Sequence, residues 1–325
     1  MAYPLAVDIG SGVTKLAWYS DPTKKKVEVA DFPTAAAEFP GGVADDIYDP
    51  DAYGLVSYNG TLWAVGDETG SLFRPNQRVN SLSGSWAGSP GWTAILYAAI
   101  ARAFPDGGAF EVLLSTGLPQ AVYGAHRKAI LDHLNCKHQF MVGKREYEVT
   151  MQANVMPQAL AALLHEATGN AEVMNYQSAV VDIGTYTTGY AVLHNGRLQN
   201  WRSNGIEVGV SALTQALARW LDDEKGLKVD PAIMPEVMRS RSVMFRDERL
   251  DLTEIIGQLA TQVAKPIEEA LIAAWDHGAN DIARVFISGG GAPLFEPAIT
   301  RIVPHARLSA DPGYAVVRGL LTFLD

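Results

Sequence analysis

DIGSGVTKLAW at residues 8–18 returns as DIGTYTTGYAV at residues 182–192. Val7/Val181, Asp8/Asp182, Ile9/Ile183, Gly10/Gly184, Thr14/Thr188 and Ala17/Ala191 coincide, and Ser11/Thr185 keeps a hydroxyl. A repeat set half a chain apart implies two related domains, because one supersecondary unit has been built twice. Each copy reads as an apolar strand (Leu5–Ile9; Ala179–Ile183), an acidic residue at the strand end, a glycine turn and a second strand. That is a hairpin and not a P-loop.

The chemistry of the hairpin points to a phosphate. Glycine has no Cβ and tolerates positive φ, so Gly10, Gly12 and Gly184 can bring backbone N–H groups close to an anion. Ser11 adds a hydroxyl donor and Lys15 a positive charge. Bare aspartates repel phosphate oxygens, so the task that suits Asp8 and Asp182 is to hold a hydrated divalent cation, and a magnesium nucleotide fits. One DIG alone could equally be a strand entering an ordinary tight turn; two copies disfavour that. A third cluster, ISGGGAPL at 287–294, follows the apolar run Val285–Ile287. Three consecutive glycines suit either a flexible loop or a flat surface for a large planar group, and after both hairpins the second completes a pattern.

The trio resembles the actin-like ATPase superfamily, and within it the ParM (StbA) family of prokaryotic actin-like proteins. The resemblance covers nearly the whole chain in family order: DIGSGVTK (8–15), LLSTGLPQAVY (113–123), NVMPQALAAL (154–163), VVDIGTYTTGYAV (180–192), SNGIEVGVSAL (203–213), SGGGAPL (288–294) and the closing GYAVVRGLL (313–321). It implies an α/β, duplicated actin-like (ribonuclease H-like) fold, with two domains around an interdomain nucleotide cleft. Domain I would span 1–165 with a small insertion at about 32–82 and a returning helix at about 311–325, and domain II 166–310 with an insertion at about 222–250. By the same resemblance Asp8, Gly10, Ser11, Gly12 and Lys15 form the first phosphate element, and Asp182, Gly184 and Thr185 the second. Gly205 lies beside the nucleotide, Gly289, Gly290, Gly291 and Ala292 lie along the adenosine, and Gln158 orients the attacking water. Asp8 and Asp182 hold Mg2+ through water.

Three positions depart from the family pattern. This chain reads MPQA where ParM tends to carry a glutamate; Gln158 can position water but is no general base, so slow turnover is implied. Gly189 stands where many relatives have aspartate, and Tyr186 is bulky for its turn. The implied activity is that of a cytoskeletal protein that binds and hydrolyses ATP and polymerises into filaments favoured by ATP over ADP. Its first partner would be itself, with an adaptor protein linking it to DNA if it segregates a plasmid. A small-molecule kinase on the same fold is the main rival, but it needs a base for an acceptor hydroxyl, and TGLPQ (116–120) holds none. A heat-shock-type chaperone would need a client-binding domain, and a membrane-adaptor actin relative a basic amphipathic tail in place of GLLTFLD.

Composition agrees. With 325 residues, 48% of them hydrophobic, the chain can bury two cores. Its net charge of −10 disfavours direct binding to nucleic acid, and the one basic run, Lys24–Lys26, reads as a solvated hairpin tip. The single cysteine, Cys136, excludes an intrachain disulfide framework and a multi-cysteine zinc site. No signal peptide or membrane span is apparent, which leads us to expect the cytoplasm and no membrane. His126, His133 and His138 lack the spacing of a metal cluster and are expected at the surface, while Trp86, Trp92 and Trp201 suggest core or inter-subunit packing.

Local signals place the elements. Asn59-Gly60 and Asn195-Gly196 mark tight hairpins. Helices are expected over 92–104, 121–134, 158–167, 208–221 and 252–277, the last kinked at Pro266. Phe110–Ser115 reads as a strand broken by TGLP, 139–150 as a hairpin around Gly143, and 222–249 as an inserted, charged stretch.

Overall fold

The β-branched and apolar runs on either side of each DIG do form hairpins. The protein is described by a computed structural model over residues 2–21, 26–39, 54–74, 77–79, 86–231 and 233–324, the Ser71 side chain excepted. It divides into two compact units, Met1–Ala171 with Tyr314–Asp325, and Glu172–Gly313.

The first unit is built on strands β1 (Tyr3–Ile9), β2 (Val13–Asp21), β3 (Lys26–Pro33), β4 (Ala36–Glu38), β5 (Val56–Tyr58), β6 (Thr61–Val65), β7 (Gly108–Leu118), β8 (Lys137–Val142) and β9 (Arg145–Pro157). They join in one sheet of order β3-β2-β1-β7-β9-β8-β5-β6-β4, with β1, β7 and β9 parallel to one another. Its helices are α1 (Asp67–Leu72), α2 (Pro90–Ala103), α3 (Gln120–Leu134), α4 (Gln158–Ala167) and, near the C-terminus, α11 (Ala315–Thr322). Ser89 caps α2, its Oγ accepting the Trp92 amide, and Pro90 sits in the first turn, where a missing N–H costs nothing. Nearly every side of α2 is buried, and Ile95 and Ile100 pack with Leu5, Val7 and Leu114 in the core. Gly319 lets α11 meet α4, since a Cβ there would lie 1.7 Å from the Ala161 carbonyl oxygen.

The second unit contains α5 (Ala171–Asn175), whose first residue still belongs to the first, then β10 (Ser178–Ile183), β11 (Thr188–His194), β12 (Arg197–Leu198), β13 (Asn204–Ile206), α6 (Val210–Lys225), α7 (Met234–Ser240), β14 (Ser242–Phe245), β15 (Glu248–Asp251), α8 (Thr253–Val263), α9 (Lys265–Trp275), β16 (Arg284–Ser288), α10 (Ala292–Ile302) and β17 (Ala306–Leu308). Strands β12-β11-β10-β16-β17 make its sheet, with β13 beside β11, and β14 and β15 form a separate pair. Its core joins Val181 and Ile183 to Leu213, Leu217, Ile256, Trp275 and Phe295.

Both Asn-Gly pairs adopt left-handed φ at their two turn positions, and Gly143 turns β8 into β9. Elsewhere long-range contacts overrule the local reading. TGLP does not break β7: the strand runs to Leu118 because β9 pairs with it as far as Leu118 opposite Pro157. The expected helix 252–277 is two helices, since Pro266 occupies the first turn of α9 and cannot continue the ladder of α8. The expected helix 208–221 spans Val210–Lys225 and stops at Gly226 with φ 63°, so Asp222–Lys225 of the charged stretch are helical. Of the expected insertion at 32–82, β4, β5 and β6 continue the large sheet through β8, and residues 40–53, 75–76 and 80–82 lie outside the described residues. So do Lys24 and Lys25, while Lys26 opens β3 and pairs with Glu28.

The histidines also correct the reading. His126 and His133 are half-buried, but His138 is only 6% exposed. Its Nε2 lies 3.0 Å from the Leu134 carbonyl, which fixes N–H there, so Nδ1 accepts the Tyr97 hydroxyl at 2.9 Å. His133 Nε2 lies 2.9 Å from the Thr93 hydroxyl. Burial lowers the pKa of both imidazoles. Trp86 and Trp92 are buried in the first unit, whereas Trp201 is 77% exposed.

Candidate functional site

Asp8 is the penultimate residue of β1, opposite Lys15 of β2, and Asp182 the penultimate residue of β10, opposite Gly189 of β11. The repeat extends to the turn geometry. A Cβ on Gly10 would lie 2.8 Å from the Val13 carbonyl oxygen, and one on Gly184 would lie 3.1 Å from that of Thr187, the residue three positions on in each case. Neither glycine has left-handed φ. Of the two properties the sequence reading invoked, the missing Cβ is the one these turns use, and tolerance of positive φ is not.

In the first unit Asp8 is 6% exposed, and its Oδ1 accepts a hydrogen bond from Gln158 Nε2 at 2.7 Å. A carboxylate accepts only, so the amide nitrogen must face it, and the amide oxygen Oε1 is the other end. Gln158 is the first residue of α4, directly after the Pro157 that closes β9. The gap it crosses exists because residue 117 is glycine: a Cβ there would lie 2.8 Å from Gln158 Cγ and 3.4 Å from Asp8 Oδ1. Thr116, one position before, donates its hydroxyl to the Val7 carbonyl at 2.7 Å and locks β7 to β1. Lys15 stands opposite Asp31 of β3, its Nζ 5.9 Å from the centre of the Tyr314 ring, and Tyr314 donates its hydroxyl to the Asp31 carboxylate. Ser11 and Gly12 are half-buried in the turn, and the Gly12 carbonyl accepts the Thr34 amide at 3.0 Å.

In the second unit Ser288 Oγ donates to Asp182 Oδ1 at 2.7 Å, and the two residues are register partners in the parallel pair β10–β16. The loop carrying Gly184 and Thr185 is held from outside by the start of α6: Val210 N donates to the Gly184 carbonyl at 3.1 Å and Ser211 N to that of Thr185 at 2.7 Å. This needs glycine at 209, where a Cβ would fall 2.5 Å from the Gly184 oxygen. Gly189, opposite Asp182, is itself paired with Gly205, so no side chain stands at that register position. Tyr186 is half-buried in its turn.

The glycine trio is not a uniform flat surface. Gly289 has φ 89° and donates its N–H to the Pro312 carbonyl at 2.8 Å; Gly291 donates to the Ile183 carbonyl at 2.9 Å. Side chains at 289 or 291 would meet Ile183 at 2.3 Å and 2.8 Å. Gly290 is exposed with open space where its Cβ would be, and Ala292 is buried at the start of α10. Two of the glycines therefore seat the turn on the end of β10, and one faces outward.

Ser288, Gly117, Gly209, Asp31 and Tyr314 escaped the sequence reading. Ser288 and Gly209 lay inside quoted motifs, but a small residue next to a glycine turn carries no signal of its own. Gly117, inside LLSTGLPQAVY, reads locally as a strand breaker.

Residues 6–160 match the family of actin-like protein N-terminal domains, and residues 180–301 the C-terminal domain of the archaeal actin homologue MreB-like family. The chain belongs to the actin-like superfamily. No curated protein sequence matches this actin-like chain. Among solved structures it is similar to Ta0583, an archaeal actin homologue, with 20% identity and a TM-score of 0.81 over 99% of both chains. A second Ta0583 structure, a complex with ADP, gives 19% identity and 0.78 over 99% of both. The subunit of a 15-stranded ParM filament from Clostridium botulinum gives 16% identity and 0.77 over 99% of this actin-like chain and 98% of that one. At these identities the likeness establishes the actin-like fold.

Proposed function

We propose that this actin-like protein binds and hydrolyses ATP with Mg2+ and assembles into filaments whose stability depends on the bound nucleotide. The observation that carries the reading is the repeated site: each unit places an aspartate one residue before the end of its first strand, turns on a glycine whose Cβ would crowd the carbonyl three residues on, and ties aspartate Oδ1 to a neutral donor at 2.7 Å. Duplicating a tight glycine turn and a bonded carboxylate makes sense when both act on one ligand. Ta0583 has been solved with ADP and a ParM as a filament, and both support the proposal.

The residues present fit a magnesium nucleotide. Among the described residues no three His, Cys, Asp or Glu side chains stand together as a metal site. Asp8 and Asp182 would hold the cation through water, since bare carboxylates repel the phosphates that complete its shell. Bound Mg2+ supplies charge neutralisation on the transferred phosphoryl group. Ser11, Gly12, Lys15, Gly184 and Thr185 bind the phosphates in this reading, and Gly205 and Gly290 border the adenosine, with Gly289, Gly291 and the buried Ala292 fixing that border. Gln158 uses both ends of its amide: Nε2 stays on Asp8 and Oε1 accepts a hydrogen bond from the attacking water, orienting it without removing its proton. No side chain here is a strong base, so turnover is slow.

A net charge of −10 disfavours direct, nonspecific binding to nucleic acid. Among the described residues no helix is long and apolar enough to cross a membrane. A cytoplasmic filament that moves DNA through an adaptor protein is the biological role this reading favours. Electron microscopy and pelleting with Mg2+ and ATP test it: filaments should appear above a critical concentration and weaken with ADP, because closure on a γ-phosphate changes the surface offered to the next subunit. A protein that stays monomeric at tens of micromolar, a generous range for such assembly, while phosphorylating a small metabolite would establish the kinase alternative instead.

A further inference from the structure

Ser288 and Gly117 occupy corresponding places in the two units. Val181 pairs with Ile287 and Asp182 with Ser288 across β10–β16, while Val7 pairs with Thr116 across β1–β7, so Gly117 is the next residue along, beside Asp8. At this one position the duplicated units solve the same problem differently. In the second unit the adjacent strand carries a hydroxyl and donates it directly to Asp182 Oδ1. In the first unit the adjacent strand carries no side chain, and the vacated space is crossed by Gln158 from the start of α4, which donates to Asp8 Oδ1 at the same 2.7 Å.

We propose that Ser288 is the positioning residue that orients the Asp182 carboxylate toward the metal's water shell, and that Gly117 is the positioning residue that admits Gln158 to Asp8. This rests on the nucleotide reading above. Ser288 is fully buried in β16, so its hydroxyl orients Asp182 whether or not nucleotide is present. The Asp8 clamp is carried by the same side chain that is to orient the water. The two carboxylates thus accept from different kinds of donor, Asp182 from a hydroxyl on the adjacent strand and Asp8 from a residue that also serves the reaction. Neither residue touches the reacting atoms. Each acts through an aspartate, which is why a loss of metal coupling, and not of fold, is its signature.

The test measures affinity for the non-hydrolysable analogue adenylyl imidodiphosphate by calorimetric titration, with Mg2+ and with EDTA, in wild type, Ser288→Ala and Ser288→Thr. Ser288→Ala should lose roughly ten- to a hundredfold of the magnesium-dependent gain in affinity, the size expected for one hydrogen bond to a charged group, while the metal-free affinity stays unchanged. Ser288→Thr keeps the hydroxyl and should recover most of it. If wild type shows a magnesium-dependent gain and Ser288→Ala shows the same gain, the positioning role is overturned and the nucleotide reading survives. Equal losses in Ala and Thr variants overturn it also, because packing and not the hydroxyl would then be at issue. A wild type whose nucleotide affinity ignores Mg2+ overturns both. In the first unit Gly117→Ala should slow phosphate release about as much as Gln158→Ala, and should cost nothing further once Gln158 is Ala. Additive losses would show that Gly117 acts otherwise than through Gln158.

Discussion

At the scale of the residue, the Gln158–Asp8 contact shows what a glutamine achieves where an acid could not. A neutral amide can sit 2.7 Å from a carboxylate and donate to it at any pH. A second carboxylate cannot, because two like charges at that distance force one proton to be shared and raise the pair's upper ionisation above the ordinary carboxylate range. Gln158→Ala should leave nucleotide affinity nearly intact and slow cleavage by roughly tenfold to a thousandfold, the range for a lost orienting group. Gln158→Glu should behave differently from both. While the shared proton remains, the pair mimics the native donor and acceptor; as pH rises past the raised ionisation the proton leaves and the pair springs apart. Phosphate release by this variant should therefore fall on an alkaline limb that wild type lacks, and superimposable profiles from pH 5 to pH 9, well above the ordinary glutamate value of about 4.3, would refute the contact's role.

At the scale of the element, the glycine turn between β16 and α10 is a seat and a window. Gly289 cannot carry a side chain, both because its φ is 89° and because a Cβ would strike the Ile183 carbonyl at 2.3 Å. Gly290 can, since nothing lies within 4 Å of its position. Gly289→Ala should destabilise the protein by at least about 2 kcal/mol, combining backbone strain with overpacking, whereas Gly290→Ala should fall within about 0.5 kcal/mol of wild type. Urea unfolding of the two variants side by side decides this; equal midpoints would mean the turn is not pinned on β10. The same close approach recurs where Gly209 brings α6 against the Gly184 loop, so both turns are held by backbone contacts rather than by the ligand they are proposed to meet. Strand β7 shows the element-level rule from the other side, because its glycine at 117 looks like a breaker until β9 is placed beside it.

At the scale of the whole molecule, pH enters through the buried imidazoles. His138 and His133, packed among Tyr97, Thr93, Tyr58, Cys136 and Lys137 around a cavity of about 420 Å³, have pKa values lowered by burial, His133 also by the neighbouring His138. The unfolded chain therefore takes up these protons first as pH falls, so stability is full above the ordinary histidine range near 6.5 and declines as pH drops through it. The melting temperature should fall between pH 7.5 and pH 5.5, and His133→Gln/His138→Gln should flatten that slope; an unchanged slope would place the acid sensitivity elsewhere. The repeat, the two aspartates, the glycine turns and the Asn-Gly hairpins were legible in the sequence, because each is encoded by residues a few positions apart and by the backbone freedom of particular residue types. The donors on the aspartates were not, since Gln158 lies 150 residues from Asp8 and Ser288 lies 106 from Asp182. Nor was the burial of His138, which depends on α2 bringing Tyr97 to β8. A local pattern states what a segment can do. Which neighbour satisfies a buried polar group is decided only when strands and helices are packed, because that choice belongs to the free energy of the folded chain as a whole.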